Sequence, residues 1–354
     1  MKEKITVIIP THNYRLKLVN RILDYYSNYP VNIIIEDGSI KKNQKKFKNK
    51  VNYYHSPKKQ FVMRIKHALE HCKTKYVAIN QDDDFLIYSS LIKAKKFLDK
   101  NKKYSFVSGH IFYFENFFNS IFYHTVYETN SLRSNSSQSS YKRLLNFCNH
   151  PQMLVASLFK RIDLLKNLNS YEKFIKKVPP KKRRLYDEFA FSLFMFSRFN
   201  YKFLNLLWQL RDRNVYPFEK KKNLKSLSRP TNKEILNVKS FEFKIFKKEI
   251  EKIFRLKKNN NLENLLIKCL KYYIKFEQLD SKSSSMKKSI KLYLPKFTKT
   301  LSYIKKVIRV FFFERYNNLN SKDFILNKIN KNEYTKFLYV LKKYKLSVNK
   351  LTNN

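Results

Sequence analysis

Apolar and polar positions alternate along the first hundred residues in a way that predicts strands and helices in turn. Short, nearly continuous apolar runs predict strands at 5–10, 31–39, 51–55 and 76–79. Apolar residues at helical spacing predict helices at 14–27, 61–72 and 88–101. Strands that alternate with helices form a mainly parallel sheet, so this part of the chain is predicted to be an α/β domain.

The pattern then changes twice along the chain. Longer strands are predicted at 104–115, 121–128 and 201–213, with a helix at 186–198 and a Ser/Asn-rich loop at 129–142. After Pro217, amphipathic helices follow one another, at 240–258, 262–279 and 322–345. We therefore divide the chain into an α/β domain at 1–216 and a basic helical C-terminal extension at 217–354.

The charge of the chain is strongly basic, with 75 Lys and Arg against 27 Asp and Glu and a net charge of +48. Such a charge raises the alternative of a nucleic-acid-binding protein or a metal-dependent nuclease. Residues 1–216 and 217–354 each carry a net +24, however, so the charge is not gathered in one stripe. We therefore expect no nucleic-acid partner and keep this class as the alternative.

Glycine and cysteine usage excludes several classes of protein. The two glycines, Gly38 and Gly109, cannot build the clustered glycines of a Rossmann or Walker phosphate loop. Three widely spaced cysteines do not form a disulfide framework and favour a reducing cytoplasm. The N-terminus lacks the pattern of a signal peptide, and no apolar run reaches the length of about 18 residues that a membrane span needs.

Polar residues follow three of the predicted strands: Pro10-Thr11, Glu36-Asp37 and Asp82–Asp84. Ligands of parallel sheets bind beyond the carboxyl ends of the strands, so these residues are expected on one rim. Carboxylate oxygens suit Mg²⁺ or Mn²⁺, which are bound by one or two carboxylates together with substrate phosphates. The alternative is a solvated acidic turn at Asp82–Asp84.

A second motif is the string HALEH at 67–71, which has the form of a zinc-protease motif. No segment with a matching third ligand is evident, so we interpret His67 and His71 as surface histidines.

The strings ITVIIPTHN, IIIEDGS and MRIKHALEHCKTKYVAINQDDDF, taken in order, resemble the family 2-like nucleotide-sugar glycosyltransferases of the GT-A type. The resemblance is to the branch with a D-D-D-F metal motif and covers about residues 3–216. It implies a GT-A fold, which has a Rossmann-like, mainly parallel sheet.

The resemblance also implies roles for single residues. Pro10 and Thr11 would place their backbone against the nucleoside base, Asn13 would bind the nucleotide sugar, and Asp37 would bind the base or ribose. Arg64 would approach the diphosphate. The remaining residues implied at the nucleotide sugar and the metal are Glu36, Asp82, Asp83 and Asp84, with Asp84 the expected direct metal ligand and Asp82 the second.

Two residues depart from the family pattern at this motif. Glu36 stands where the family often has an aspartate, and Gln81 stands where many members have the first acid of the metal motif.

An acidic pair, Asp187-Glu188, occupies the place where the resembled enzymes keep their catalytic base, although the usual order of the pair is reversed. An inverting transferase needs such a carboxylate to take the proton of the acceptor hydroxyl, and we favour Asp187. The alternative is an acidic pair in the first turn of a helix. Arg211 would steady phosphate or acceptor, with a surface cation as the alternative.

The function predicted from these residues is inverting, Mn²⁺- or Mg²⁺-dependent transfer of a sugar from a nucleotide-diphosphate donor. The expected acceptor is a glycan or lipid-linked hydroxyl in surface polysaccharide or glycolipid synthesis. We expect a cytoplasmic enzyme. For the basic, apolar segment at 289–316, peripheral contact with the anionic inner membrane face and an ordinary helical domain both remain open.

Overall fold

The computed structural model describes residues 4–12, 15–43, 47, 51–117, 120–125, 134–149, 155–179, 187–212, 241–254, 262–271 and 323–350. The predicted roles of Asn13 and of segment 289–316 lie outside these residues. The helix at Asp187 is described, but the side chains of Asp187 and Glu188 are not.

A parallel half-sheet forms the N-terminal part of the fold. Its four strands are β1 (Ile5–Thr11), β2 (Val31–Asp37), β3 (Asn52–His55) and β4 (Tyr76–Ile79). They lie in the order β3-β2-β1-β4 and are parallel throughout. The apolar side chains of β1 and β4 are buried, as the continuous apolar runs predicted. All four strands were predicted from the sequence.

The second half of the sheet adds antiparallel pairings. Its strands are β5 (Asp84–Leu86), β6 (Tyr104–Phe117), β7 (Ser120–Thr125), β8 (Leu158–Lys160) and β9 (Asn200–Asp212). The order continues from β4 through β8, β6 and β9 to β5 at the edge, and β7 pairs with β6. The long strands β6 and β9 are parallel to each other, with register shifts around Gly109. A Cβ atom at Gly109 would lie only 2.5 Å from the Leu206 carbonyl oxygen, so glycine permits this close approach.

Helices cover both faces of the sheet, as an α/β fold requires. One face carries α1 (Leu16–Tyr26) and α3 (Tyr88–Lys100). The other face carries α2 (Phe61–Glu70), α4 (Ser140–Asn149), α5 (Arg161–Ile175) and α6 (Asp187–Arg198). Helices α4 and α5 and strands β5 and β8 were not predicted.

The described parts of 217–354 are helical and pack on both faces. Helices α7 (Phe241–Phe254) and α8 (262–271) join the core beside α5 and α6. Helices α9 (323–328) and α10 (Lys331–Lys350) join the core beside α1. The sequence predicted one helix at 322–345, but a break at 329–330 divides it. Asn330 explains the break, because its side-chain oxygen accepts a hydrogen bond from the Asn332 amide at 2.9 Å and begins a new helix.

The boundary at 216/217 stays a prediction, because residues 213–240 lie outside the described part. Within the described residues, no helix has the length and apolar character to cross a membrane.

Candidate functional site

The carboxyl ends of β1 and β2 place their polar residues on alternating faces of the sheet. Thr11 is the register partner of Asp37, and Pro10 is the partner of Glu36. Register partners in neighbouring strands share a face, while successive residues of one strand point to opposite faces. Thr11 and Asp37 therefore face the α1 side, and Glu36 faces the α2 side.

The acidic triplet lies beside Thr11. The Thr11 hydroxyl donates a hydrogen bond to Asp82 at 2.8 Å. The Arg15 guanidinium lies 2.6 Å from an Asp82 carboxylate oxygen and 2.7 Å from an oxygen of Asp83. Arg15, which directly precedes α1, thus bridges two of the three acids.

Asp84 is the most deeply buried acid of the triplet, with 1% of the residue exposed. Its position in β5 sets it opposite Arg211 of β9, whose Nε atom lies 3.3 Å from the Asp84 carboxylate. The Gln209 side chain donates a hydrogen bond to the same carboxylate. Arg211 also donates to the Gln81 side chain at 2.9 Å.

Burial dominates the electrostatics of these carboxylates. It raises the pKa of Asp82 to about 6, although the pairing with Arg15 opposes the shift. It also raises the pKa of Asp84 well above its usual range; Arg211 opposes this shift, and the charges of Asp83 and Asp82 add to it. The two arginines therefore do not fully offset the effect of burial on Asp82 and Asp84.

Asp37 is held by neighbouring groups at the same edge. The Ser39 amide donates to one of its carboxylate oxygens at 2.8 Å, and the Tyr53 hydroxyl donates to the other at 2.5 Å. The residue is fully buried. Its side chain is fixed next to the strand ends that carry Thr11 and the triplet.

Arg64 of α2 reaches across the strand ends toward these acids. Its Nη1 atom donates to the Thr11 carbonyl oxygen, and its Nε atom is buried without a hydrogen-bond partner. Burial lowers the pKa of Arg64, while the charges of Glu36, Asp82 and Asp37 oppose that shift. Gly38 makes room for it, because a Cβ atom at this position would collide with the guanidinium. An anion bound at this edge of the sheet would lie near the Arg64 guanidinium, whose Nε atom has no other hydrogen-bond partner.

Glu36 does not contact the triplet in the described part of the structure and pairs with α2 instead. Its carboxylate lies 2.6 Å from Nδ1 of His67 on α2, and Tyr54 and His71 pack against the His67 ring. His67 is therefore a partly buried partner of Glu36 rather than a surface histidine. Glu36, predicted at the nucleotide sugar, is separated by the sheet from the face that carries Asp37.

The structure thus brings together Thr11, Arg64, Asp82, Asp83, Asp84 and Arg211, with Asp37 on the same edge. Pro10 contributes backbone to β1. The sequence interpretation missed Arg15 and Gln209, which contact the acids directly. A signal for Arg15 existed, because it lies four residues past the end of a strand that was already expected to line the rim.

Comparison with known proteins gives one family and several solved structures. Residues 6–163 match the family model "Glycosyl transferase family 2". A comparison with curated protein sequences finds no match.

The similar solved structures include TarS of S. aureus. The form spanning residues 1–349 with UDP is 14% identical, with a TM-score of 0.43 over 80% of this chain and 92% of that chain. The UDP-GlcNAc complex is 16% identical, with a TM-score of 0.42 over 73% of this chain and 74% of that chain. Against another TarS structure, at 16% identity and a TM-score of 0.40 over 71% of this chain, the match spans only 42% of the TarS chain. With TM-scores below 0.5, these similarities support no conclusion about substrate or residue roles.

The family match covers the strands β1 to β4, the acidic triplet and Arg64, which are the parts that build the rim. Residues 6–163 are therefore similar to a glycosyl transferase family 2 domain, and the part of the chain that the structure describes has a mixed α/β fold with helices on both faces of one sheet.

Proposed function

We propose that the chain transfers a sugar from a nucleoside-diphosphate donor to an acceptor hydroxyl, with inversion and with the help of Mg²⁺ or Mn²⁺. The observation that carries this proposal is the juxtaposition of the triplet Asp82–Asp84 with Arg15 and Arg64 at the carboxyl edge of the parallel strands. Ligands of such sheets bind at this edge.

The residues present fit a divalent cation that the substrate helps to bind. All three side chains of the triplet offer carboxylate oxygens, the donors that Mg²⁺ and Mn²⁺ prefer. Burial raises the pKa values of Asp82 and Asp84, and a bound cation would favour their charged forms as the arginines do. No complete cage of three or more His, Cys, Asp or Glu side chains occurs in the described part of the chain. Asp84 and Asp82 would hold the ion together with substrate phosphates.

A bound Mg²⁺ or Mn²⁺ ion would supply positive charge where the leaving diphosphate becomes more negative. Arg64 and Arg15 add fixed guanidinium groups at the same place, and fixed charges of this kind stabilise a developing anion. Asp37, held by Ser39 and Tyr53, is set to accept hydrogen bonds from the base or ribose. These residues would bind and orient the donor.

The proposed catalytic base lies at the start of α6, at Asp187 or Glu188, and we favour Asp187. We expect Asp187→Asn to leave diphosphate binding unchanged and to lower turnover by roughly 10²- to 10⁴-fold, the usual contribution of a general base. Release of nucleoside diphosphate in the presence of acceptor measures turnover. If Glu188→Gln is the crippled variant and Asp187→Asn is active, the base is Glu188.

The proposed acceptor is a glycan or lipid-linked hydroxyl in surface polysaccharide or glycolipid synthesis, reached from the cytoplasmic side of an anionic membrane. The basic, apolar sequence at 289–316 supports this location, since such a segment suits an anionic interface. Co-sedimentation with liposomes tests it. Equal binding to anionic and neutral vesicles at low salt would contradict it.

The proposed chemistry is tested by screening the nucleoside diphosphates UDP, GDP, CDP and ADP and their sugar conjugates by thermal shift, with Mn²⁺ and with EDTA. We expect one base to raise Tm only in the presence of the metal. If none of the nucleotides raises Tm, the proposal is wrong.

A further inference from the structure

Helix α10 packs directly behind the acidic triplet. Its Phe337 is fully buried and meets the rings of Phe85 and Phe114 edge-on, with centroid distances of 5.2 Å to each. Phe85 follows Asp84 in the chain and lies in β5. A residue more than 250 positions away thus forms part of the support of the carboxylate expected to bind the metal.

Strand β5 depends on this support because it has few other contacts in the sheet. It is three residues long, lies at the end of the strand order and pairs only with β9 among the described strands. A strand with one hydrogen-bonded neighbour is held in place largely by the packing of its side chains. Phe337 and Tyr25 contribute that packing at Phe85.

The same helix fixes the start of α3, which follows β5. The α3 N-cap residue, Ile87, has no side chain to cap the helix. Glu333 of α10 takes this role, because its carboxylate accepts hydrogen bonds from the Tyr88 amide at 2.5 Å and from the Ser89 amide at 3.2 Å. A carboxylate at a helix N-terminus is favourable both as an acceptor and toward the helix dipole. Glu333 is itself buried.

Helix α10 also holds α1, the element that follows Arg15. Lys343 forms an ion pair with Asp24 of α1, and the Tyr344 hydroxyl donates to the same carboxylate at 2.8 Å. The Tyr25 hydroxyl of α1 donates to Glu333. Helix α10 therefore contacts two elements of the site. These are β5, which contains Asp84, and α1, which begins after Arg15.

We propose that α10 is a positioning element of the donor site, with Phe337 and Glu333 as the positioning residues. They hold β5 and the start of α3 so that Asp82 and Asp83 face Arg15 and Asp84 faces Arg211. This inference rests on the proposed function, since it is donor binding that the positioning serves. The donor site is then incomplete without the C-terminal extension.

The test compares Phe337→Ala with Phe174→Ala, a matched control. Phe174 is also a fully buried phenylalanine, but it packs against Phe194 and Phe246 in the core on the other face of the sheet. Both variants create a cavity and should lower Tm. Only Phe337→Ala should also weaken Mn²⁺-dependent nucleoside-diphosphate binding, by about tenfold or more, because small misplacements of site groups have effects of that order. Phe337→Leu, which refills most of the cavity, should recover most of the affinity.

Hydrogen exchange provides a second readout that needs no ligand. In full-length Phe337→Ala, amides of residues 80–90 should exchange faster than in wild type, whereas in Phe174→Ala they should not. Equal exchange in this segment for both variants, or equal loss of diphosphate affinity, would overturn the positioning role. If wild type binds no nucleoside diphosphate while exchange at 80–90 still responds to Phe337 alone, the proposed function is wrong and the positioning stands.

Discussion

Acidic side chains lie at one edge of the sheet in two groups, the triplet Asp82–Asp84 and Glu36 alone. In the triplet, Asp82 and Asp83 meet Arg15, which precedes α1, and Asp84 meets Arg211 of β9. On the α2 side, Glu36 meets His67, beside the rings of Tyr54 and His71. Both groups are acidic strand ends in the sequence, and only one has the features of a ligand site.

The difference follows from the two-residue period of a strand. Asp37 and Glu36 are adjacent in β2 but project to opposite faces, so one lies beside the triplet and the other beneath α2. Burial raises the pKa of Glu36, and His67 opposes that shift. The local partners of Glu36, His67 and Ser56, are consistent with a structural role, whereas several cations and carboxylates together suit an anionic, metal-bridged ligand.

The largest effect is expected from removing the charge of Asp84. Asp84→Asn keeps the shape of the side chain and should fold, because burial already disfavours the charged form. Sugar transfer should fall by about 10²-fold or more, since a metal ligand is lost. Glu36→Gln is the matched control, with the same kind of change at the same edge, and should keep near-wild-type turnover. An equal loss in both variants would remove the distinction between the two faces.

A smaller effect is expected from Gly38→Ala. The added Cβ atom collides with the Arg64 guanidinium, so Arg64 must shift away from the strand ends. We expect diphosphate affinity to fall by about tenfold, the scale of one charge-assisted contact. Calorimetric titration with a nucleoside diphosphate and Mn²⁺ measures it.

Gly109→Ala provides a contrasting variant for that experiment. A Cβ atom there would press on the Leu206 carbonyl between β6 and β9, so Tm should fall.

Unchanged diphosphate affinity in both Gly38→Ala and Arg64→Met would show that Arg64 does not contact the donor.

The smallest effect is expected in the pH dependence of stability at Glu36. Because folding raises its pKa, its contribution to stability is fully present below the unfolded value of about 4.3 and is lost as the pH rises through the folded pKa. Relative to Glu36→Gln, wild type should therefore become less stable between pH 4 and pH 7. Urea unfolding across that range measures the difference. A wild type that gains stability with rising pH would show that the pairing with His67 outweighs burial.

The sequence predicted the parallel half of the sheet because its strands are short apolar runs with clear boundaries. It did not predict β5, since the run of acids that leads into this strand is typical of a turn. Strand β8 and helices α4 and α5 were also missed, because no clear boundary signals separate them in the sequence.

Contacts between distant segments limited the prediction of the site. The rim was predicted, because polar residues follow three strands that had been recognised. The cap that Glu333 provides for α3 joins residues about 245 positions apart and has no local pattern. Arg15 was not predicted, because its contacts with Asp82 and Asp83 join segments that are distant in the sequence.

The most direct test of the donor site is calorimetric titration of the full-length protein with UDP, GDP, CDP and ADP, each with Mn²⁺ and with EDTA. The predicted result is binding of at least one of these nucleoside diphosphates that needs Mn²⁺, is lost in Asp84→Asn and is retained in Glu36→Gln. Metal-independent binding that survives in Asp84→Asn, or binding that is lost only in Glu36→Gln, would contradict the assignment of the site to the acidic triplet.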